Sequence, residues 1–185
     1  AMAIMDHPGI ATVLQTGTTD SGRPWFAMEY IEGERLGTYC DRSCLRTSDR
    51  LELFAKVCDA VQHAHQKGVI HRDLKPANVM MDTFGTVRIL DFGIALLKSE
   101  PALDTSVYGT LAYMAPEQIL GKRLDGRTDL YALGMTAYEL IVGEVPFNET
   151  DIRVLLRKQL YEETPHIESS VHDCPKDLAD FVKKA

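Results

Sequence analysis

The sequence predicts an α+β domain, on three observations. The opening residues alternate like short strands, most of the remainder carries helical periodicity, and one later segment is apolar nearly all round. The chain has 185 residues, 45% of them hydrophobic, enough for one well-buried core.

Residues 10–16 and 25–31 are short, β-rich and separated by a turn-forming cluster, Thr16 to Pro24. Two strands alone make a marginal ribbon, so further strands are expected upstream. After Gly33 the pattern becomes helical. From Ser48 to Lys67, Leu51, Phe54, Ala55, Cys58, Val61 and His65 recur at spacings of three and four. Thr47 or Ser48 is expected to cap that helix, and Gly68 to end it in the left-handed conformation. Residues 69–71, 78–81 and 86–90 read as small strands, with Asp82 to Gly85 a hairpin turn between the last two. Residues 91–117 lack periodicity and read as a long functional loop. Residues 128–142 form the all-round apolar helix. Amphipathic segments near 150–161 and 176–184 follow, and the end of the chain reads as the middle of a helix.

Acidic residues outnumber basic ones, 27 to 20, for a formal charge of −7. Neither nucleic acid nor an anionic membrane would attract such a chain at long range. The most apolar run, 130–142, is too short to span a bilayer, and no secretory signal opens the chain. Four cysteines, Cys40, Cys44, Cys58 and Cys174, show no metal-binding spacing and read as reduced thiols of a cytoplasmic protein. Cys40 and Cys44 would share a helix face. His63 and His65, two apart, cannot pinch one ion on a helix.

The chemistry concentrates in His71-Arg72-Asp73-Leu74-Lys75-Pro76-Ala77-Asn78. Phosphoryl transfer to a hydroxyl needs a carboxylate to orient the nucleophile and take its proton. It also needs a cation near the moving phosphoryl and an oxygen ligand for Mg²⁺. Asp73, Lys75 and Asn78 supply these within six residues, and Asp91-Phe92-Gly93 follows eighteen residues after Asp73 with a second metal-binding carboxylate.

These two motifs, with Gly109-Thr110 and Tyr113-Met114-Ala115-Pro116-Glu117 after them, resemble the protein-kinase signature set in order and spacing. The phrasing around them is most similar to bacterial Ser/Thr kinases of the eukaryotic type. The resemblance covers the whole chain and implies ATP and Mg²⁺ as cofactors and protein Ser/Thr hydroxyls as substrate. It implies a kinase-like fold: residues 1–31 as the remnant of the small lobe and hinge, residues 32–185 as the large lobe, cut short at its end. Met28 stands at the family's gatekeeper position, Glu29 and Ile31 offer backbone groups to adenine, and Met80 forms the floor beneath the base. For these apolar residues ordinary core packing is the other reading. Arg72 is the family's partner for a phosphorylated activation loop, with Thr105 and Ser106 the candidate acceptors and Ser99 and Tyr108 weaker ones. Leu96 departs from that pattern, and exposed hydroxyls without a role are the alternative. Thr110 is implied to bond toward Asp73 and Lys75. Glu117 and Asp129 are implied to be architectural, the first through an arginine beyond residue 185, the second through the backbone of the Asp73 loop. His71 and Phe92 are implied to belong to an apolar spine.

The glycine-rich phosphate loop, the third-strand lysine and its glutamate partner are not in these residues and are expected upstream. Phosphoryl transfer is therefore expected of the parent protein, and little from the 185 residues alone. A pseudokinase or scaffold lobe is the alternative, which the intact Asp73, Lys75, Asn78 and Asp91 oppose. A membrane anchor in the parent is left open.

Overall fold

The computed structural model describes residues 6–92, 111–167 and 174–184. The elements run β1 (Val13–Thr18), β2 (Pro24–Met28), β3 (Gly33–Arg35), α1 (Leu36–Arg42), α2 (Thr47–Gln66), a 3₁₀ turn (Pro76–Asn78), β4 (Val79–Asp82), β5 (Val87–Ile89), α3 (Pro116–Ile119), α4 (Gly126–Val142), α5 (Ile152–Tyr161) and α6 (Lys176–Lys184). Strands β1 and β2 form an antiparallel pair, with Val13 opposite Met28 and Thr18 opposite Pro24. A second antiparallel sheet has the order β3-β4-β5. The two meet at a parallel bridge between Ile10 and Ile89, where Ala11 N–H donates to Ile89 O (2.9 Å) and Ile89 N–H to Gly9 O (2.8 Å).

One main core joins these pieces. Ile10 at the bridge and Ile89 of β5 pack with Leu36 and Cys40 of α1, Val57 and Val61 of α2, Leu133 and Ala137 of α4, and Leu178 and Val182 of α6. Helix α4 is buried without a break from Tyr131 to Tyr138, and only its ends, such as Leu130, reach solvent. Asp125 starts it by accepting Arg127 N–H at 2.9 Å. The β4–β5 hairpin turns on Asp82, whose Oδ1 accepts the N–H groups of Phe84 (2.9 Å) and Thr86 (2.8 Å). Among the described residues no helix is long and apolar enough to cross a membrane.

Several local expectations are corrected. Helix α2 is capped by neither Thr47 nor Ser48. Arg46 occupies the N-cap without a side-chain cap, and its guanidinium instead grips Asp49 in the first turn at 3.0 Å. The buried stripe of α2 is Phe54, Val57, Ala60, Val61 and Ala64, while Ala55 is exposed. The small alanines left the face ambiguous by one position, and packing against α4 and β5 decides it. Gly68 ends the helix at φ +76, as its position predicts. Residues 69–71 form no strand, because Val69 N–H returns to Ala64 O (3.0 Å) and His71 N–H goes to the Asp129 carboxylate (2.8 Å). Strand β2 stops at Met28 and does not continue to Ile31. Strand β3 was hidden in a polar Gly-Glu-Arg triplet that carries no periodic signal and exists by pairing with β4. Cys44 lies beyond the end of α1, in a left-handed conformation (φ 48), and shares no helix face with Cys40.

Candidate active site

The loop carrying Asp73 hangs between the end of α2 and β4, and side chains from three other elements shape it. Asp129, near the start of α4, is fully buried and accepts three hydrogen bonds: from His71 N–H (2.8 Å), Arg72 N–H (2.9 Å) and the His65 ring Nε2–H (2.7 Å). With those amides held, Arg72 adopts φ 65, a strained conformation for any residue but glycine. The turn aims Asp73 away from the buried side of the loop, leaving its side chain 33% exposed.

His71 supports Asp73 from below. Its ring is buried, stands edge-on to Phe92 at 4.6 Å and places Nε2 at 2.9 Å from Leu90 O. A carbonyl only accepts, so Nε2 carries the proton and Nδ1 is left to accept Asp73 N–H at 3.3 Å. Burial pushes the imidazole below its ordinary value, against the opposing pull of the Leu90 carbonyl. It is a neutral, structural ring, as the spine reading implies for it and for Phe92.

Asp73, Lys75 and Asn78 come together. Lys75 Nζ lies 3.2 and 3.3 Å from the two Asp73 carboxylate oxygens. Asn78, in the 3₁₀ turn and only 7% exposed, donates its Nδ2 to the Asp73 carbonyl at 2.8 Å. Its backbone carbonyl accepts the N–H of Leu90, the residue before Asp91, at 2.8 Å. Asp91 is half-buried and also left-handed, at φ 64. Two non-glycine residues in this conformation flank one small cluster, the kind of stored strain that gathers at working sites.

The sequence-predicted nucleotide residues lie on the two sheets and the connection between them. Met28 ends β2 opposite Val13, Ile31 sits half-buried in the connection to β3, and Met80 lies in β4 between Arg35 and Arg88. Glu29 is committed to the fold. Its N–H bonds Thr12 O (2.9 Å), and its carboxylate takes Thr12 N–H (2.6 Å) and pairs with Arg88. Burial alone would raise its pKa, but the Thr12 amide and the Arg88 guanidinium outweigh burial and lower it. Thr105, Ser106 and Thr110, with Ser99 and Tyr108, fall outside the described residues.

Around Asp73 the structure adds contacts that residue patterns did not foretell. Gln118 Nε2 donates to Arg72 O (2.8 Å), while its Oε1 accepts Ala115 N–H (3.0 Å). Tyr113 bonds Glu139 of α4, and Thr128 donates to Glu117 at 2.7 Å. Glu117 therefore has a partner within the chain besides the implied distant arginine. A small cavity of about 40 Å³ opens among Arg72, Asp73, Tyr113, Met114, Gln118 and Thr128. The only advance signal for Gln118 was its place three residues after Ala115, where a side chain can cap its own helix.

The whole chain, residues 1–185, matches the family model of the protein kinase domain, and the chain belongs to the protein kinase family. It is similar to the probable serine/threonine-protein kinase PknB of Lactococcus lactis, 34% identical over 188 residues that cover 100% of this chain and 30% of that protein. Serine/threonine-protein kinase PrkC of Bacillus subtilis is 33% identical over 98% of this chain and 28% of its own length. Serine/threonine-protein kinase PknB of Mycobacterium tuberculosis is 36% identical over 99% of this chain and 30% of its own. The chain thus spans less than a third of the curated relatives it matches.

Proposed function

We propose that these residues form most of the large lobe of a Ser/Thr protein kinase, with residues 1–31 contributing small-lobe strands and hinge and residues 32–185 the lobe itself. The reaction is transfer of the terminal phosphoryl group of ATP to a protein Ser or Thr hydroxyl. The observation that carries this reading is the Asp73 cluster: a half-buried carboxylate 3.2 Å from a lysine, its backbone carbonyl pinned by Asn78. Names of relatives similar over nearly the whole chain support the same class.

In this reading Asp73 orients the hydroxyl and accepts its proton, and Lys75 places positive charge beside the moving phosphoryl. Glu29 and Ile31 meet the adenine edge, with Met28 behind it and Met80 beneath. Asn78 and Asp91 would hold Mg²⁺. Their donor set fits: with Nδ2 spent on Asp73, the Asn78 side chain has Oδ1 to offer, and Asp91 adds a carboxylate. Among the described residues no group of three or more His, Cys, Asp or Glu could cage a metal, and Mg²⁺ needs only one or two such ligands beside phosphates and water. Bound there, the ion would neutralise charge growing on the phosphate oxygens. Thr105 and Ser106 complete the proposal as candidate acceptors whose phosphate would pair with Arg72, and Thr110 as the loop threonine that would bond toward Asp73 and Lys75.

The test is a radiometric phosphorylation assay on the full-length protein. Asp73→Asn should lower turnover by about 10²–10⁴, the range for losing general-base assistance. Unchanged turnover would overturn the role of Asp73. Asp91→Asn should instead raise the Mg²⁺ concentration needed for half-maximal rate, and an unaltered Mg²⁺ dependence would remove Asp91 from the metal site. The isolated 185 residues should transfer little phosphate.

A further inference from the structure

We infer that Gln118 is a positioning residue for the Asp73 carboxylate, acting through the Arg72–Asp73 peptide. Its kinetic part rests on the phosphoryl-transfer reading above, and its structural part on the geometry alone.

Arg72 is held at φ 65. A residue in so sparsely populated a conformation stays there only when its surroundings over-determine it. Both peptide planes that meet at its α-carbon are tied from outside the loop. The plane before it gives its N–H to Asp129 at 2.9 Å. The plane after it gives its carbonyl to Gln118 at 2.8 Å, and its N–H, that of Asp73, to His71 Nδ1 at 3.3 Å. The orientation of this second plane sets the direction in which the Asp73 side chain leaves the backbone. The Asp73 N–H contact is the longest of the three, so the Gln118 bond is the principal tie on that plane.

The role asks for an amide. Oε1 must accept, because Ala115 presents an N–H, and Nε2 must donate, because Arg72 presents a carbonyl. The two partners also fix which end of the side chain is which. Glutamate could serve Ala115 but would set a second acceptor against the Arg72 carbonyl. Methionine could serve neither. Gln118 thereby joins the start of α3 to the loop of Asp73 across the wall of the cavity they share.

The experiment uses the full-length kinase with Gln118→Met and Gln118→Glu, reading kcat, KM for ATP and melting temperature. Both variants should lose at least tenfold in kcat at pH 8, with KM for ATP within twofold and the melting temperature nearly unchanged. Only a protonated carboxyl can donate to Arg72 O. The ratio of Gln118→Glu to wild-type kcat should therefore rise as pH falls, while that of Gln118→Met stays flat. A kcat within twofold of wild type in both variants, or a Gln118→Glu ratio that ignores pH, would overturn the inference. If the wild-type protein transfers no phosphate, the kinase reading itself falls. The ¹³C titration of the Asp73 carboxyl then decides: a shifted midpoint in Gln118→Met supports the positioning role, and an unmoved one removes it.

Discussion

At the residue scale, the site is made by groups that never meet a substrate. Asp129 lies at 0% exposure and answers donors on two other segments, so its charge is dispersed over three hydrogen bonds. An amide in its place would keep one acceptor and turn an NH₂ toward a backbone N–H. Asp129→Asn should therefore cost about 2–4 kcal/mol, the range for leaving buried donors unpaired. Urea unfolding would check it, and a loss below about 0.5 kcal/mol, the size of an ordinary surface change, would contradict it. Asp73, Lys75 and Asn78 were legible in the sequence because six residues of one loop carry all three. The role of Asp129 entered through family resemblance, since nothing local links it to amides 57 and 58 residues away. That of Gln118 showed no further than its place as a cap after Ala115, because its second partner lies 46 residues off and presents only a backbone carbonyl.

At the element scale, what could be read was what repeats. The unbroken apolar run of α4, the hairpin at Asp82 and the end of α2 at Gly68 each carry a pattern within a few residues. The face of α2, its N-cap and β3 depend on what packs against them, and a single chain segment does not state that. Strand β3 shows the point at Gly33, where an added Cβ would sit 2.1 Å from Met81 O and 2.8 Å from the Asp82 α-carbon. Both contacts are backbone, so neither side can rotate away. Gly33→Ala should push β3 off β4 and cost about 1–3 kcal/mol. Because β3 continues directly from the connection holding Ile31, the same change should weaken nucleotide binding in the full-length protein. Thermal melting with and without ATP reads both effects, and normal melting and normal ATP stabilisation would refute the close approach.

At the scale of the whole molecule, two histidines give stability a pH dependence with a definite sign. Burial lowers His71, and burial together with the neighbouring His63 lowers His7, whose ring lies 5.0 Å from that of His63. Both values move down from 6.5, so the unfolded chain takes up protons before the folded one does. Stability should be full above pH 6.5 and decline as pH falls below it. The lowered carboxyl of Glu29 opens a separate window only beneath its ordinary 4.5, where stability present above that value is lost. Melting temperatures between pH 7.5 and 5.5 check the first window. His7→Asn should flatten the decline, and an equal slope in that variant would exclude His7 as a contributor.

The bridge between Ile10 and Ile89 has a mechanical consequence. The pair β1–β2 is fastened to the rest of the fold at three places: the clamp of residues 9–11 on Ile89, the ion pair of Glu29 with Arg88 of β5, and the covalent passage through residues 30–32, where Thr83 N–H holds Glu32 O at 3.0 Å. A shift along the sheet beneath would have to part those backbone hydrogen bonds and that ion pair together. The bridge therefore fixes the register of the pair against β5 as well as its attachment.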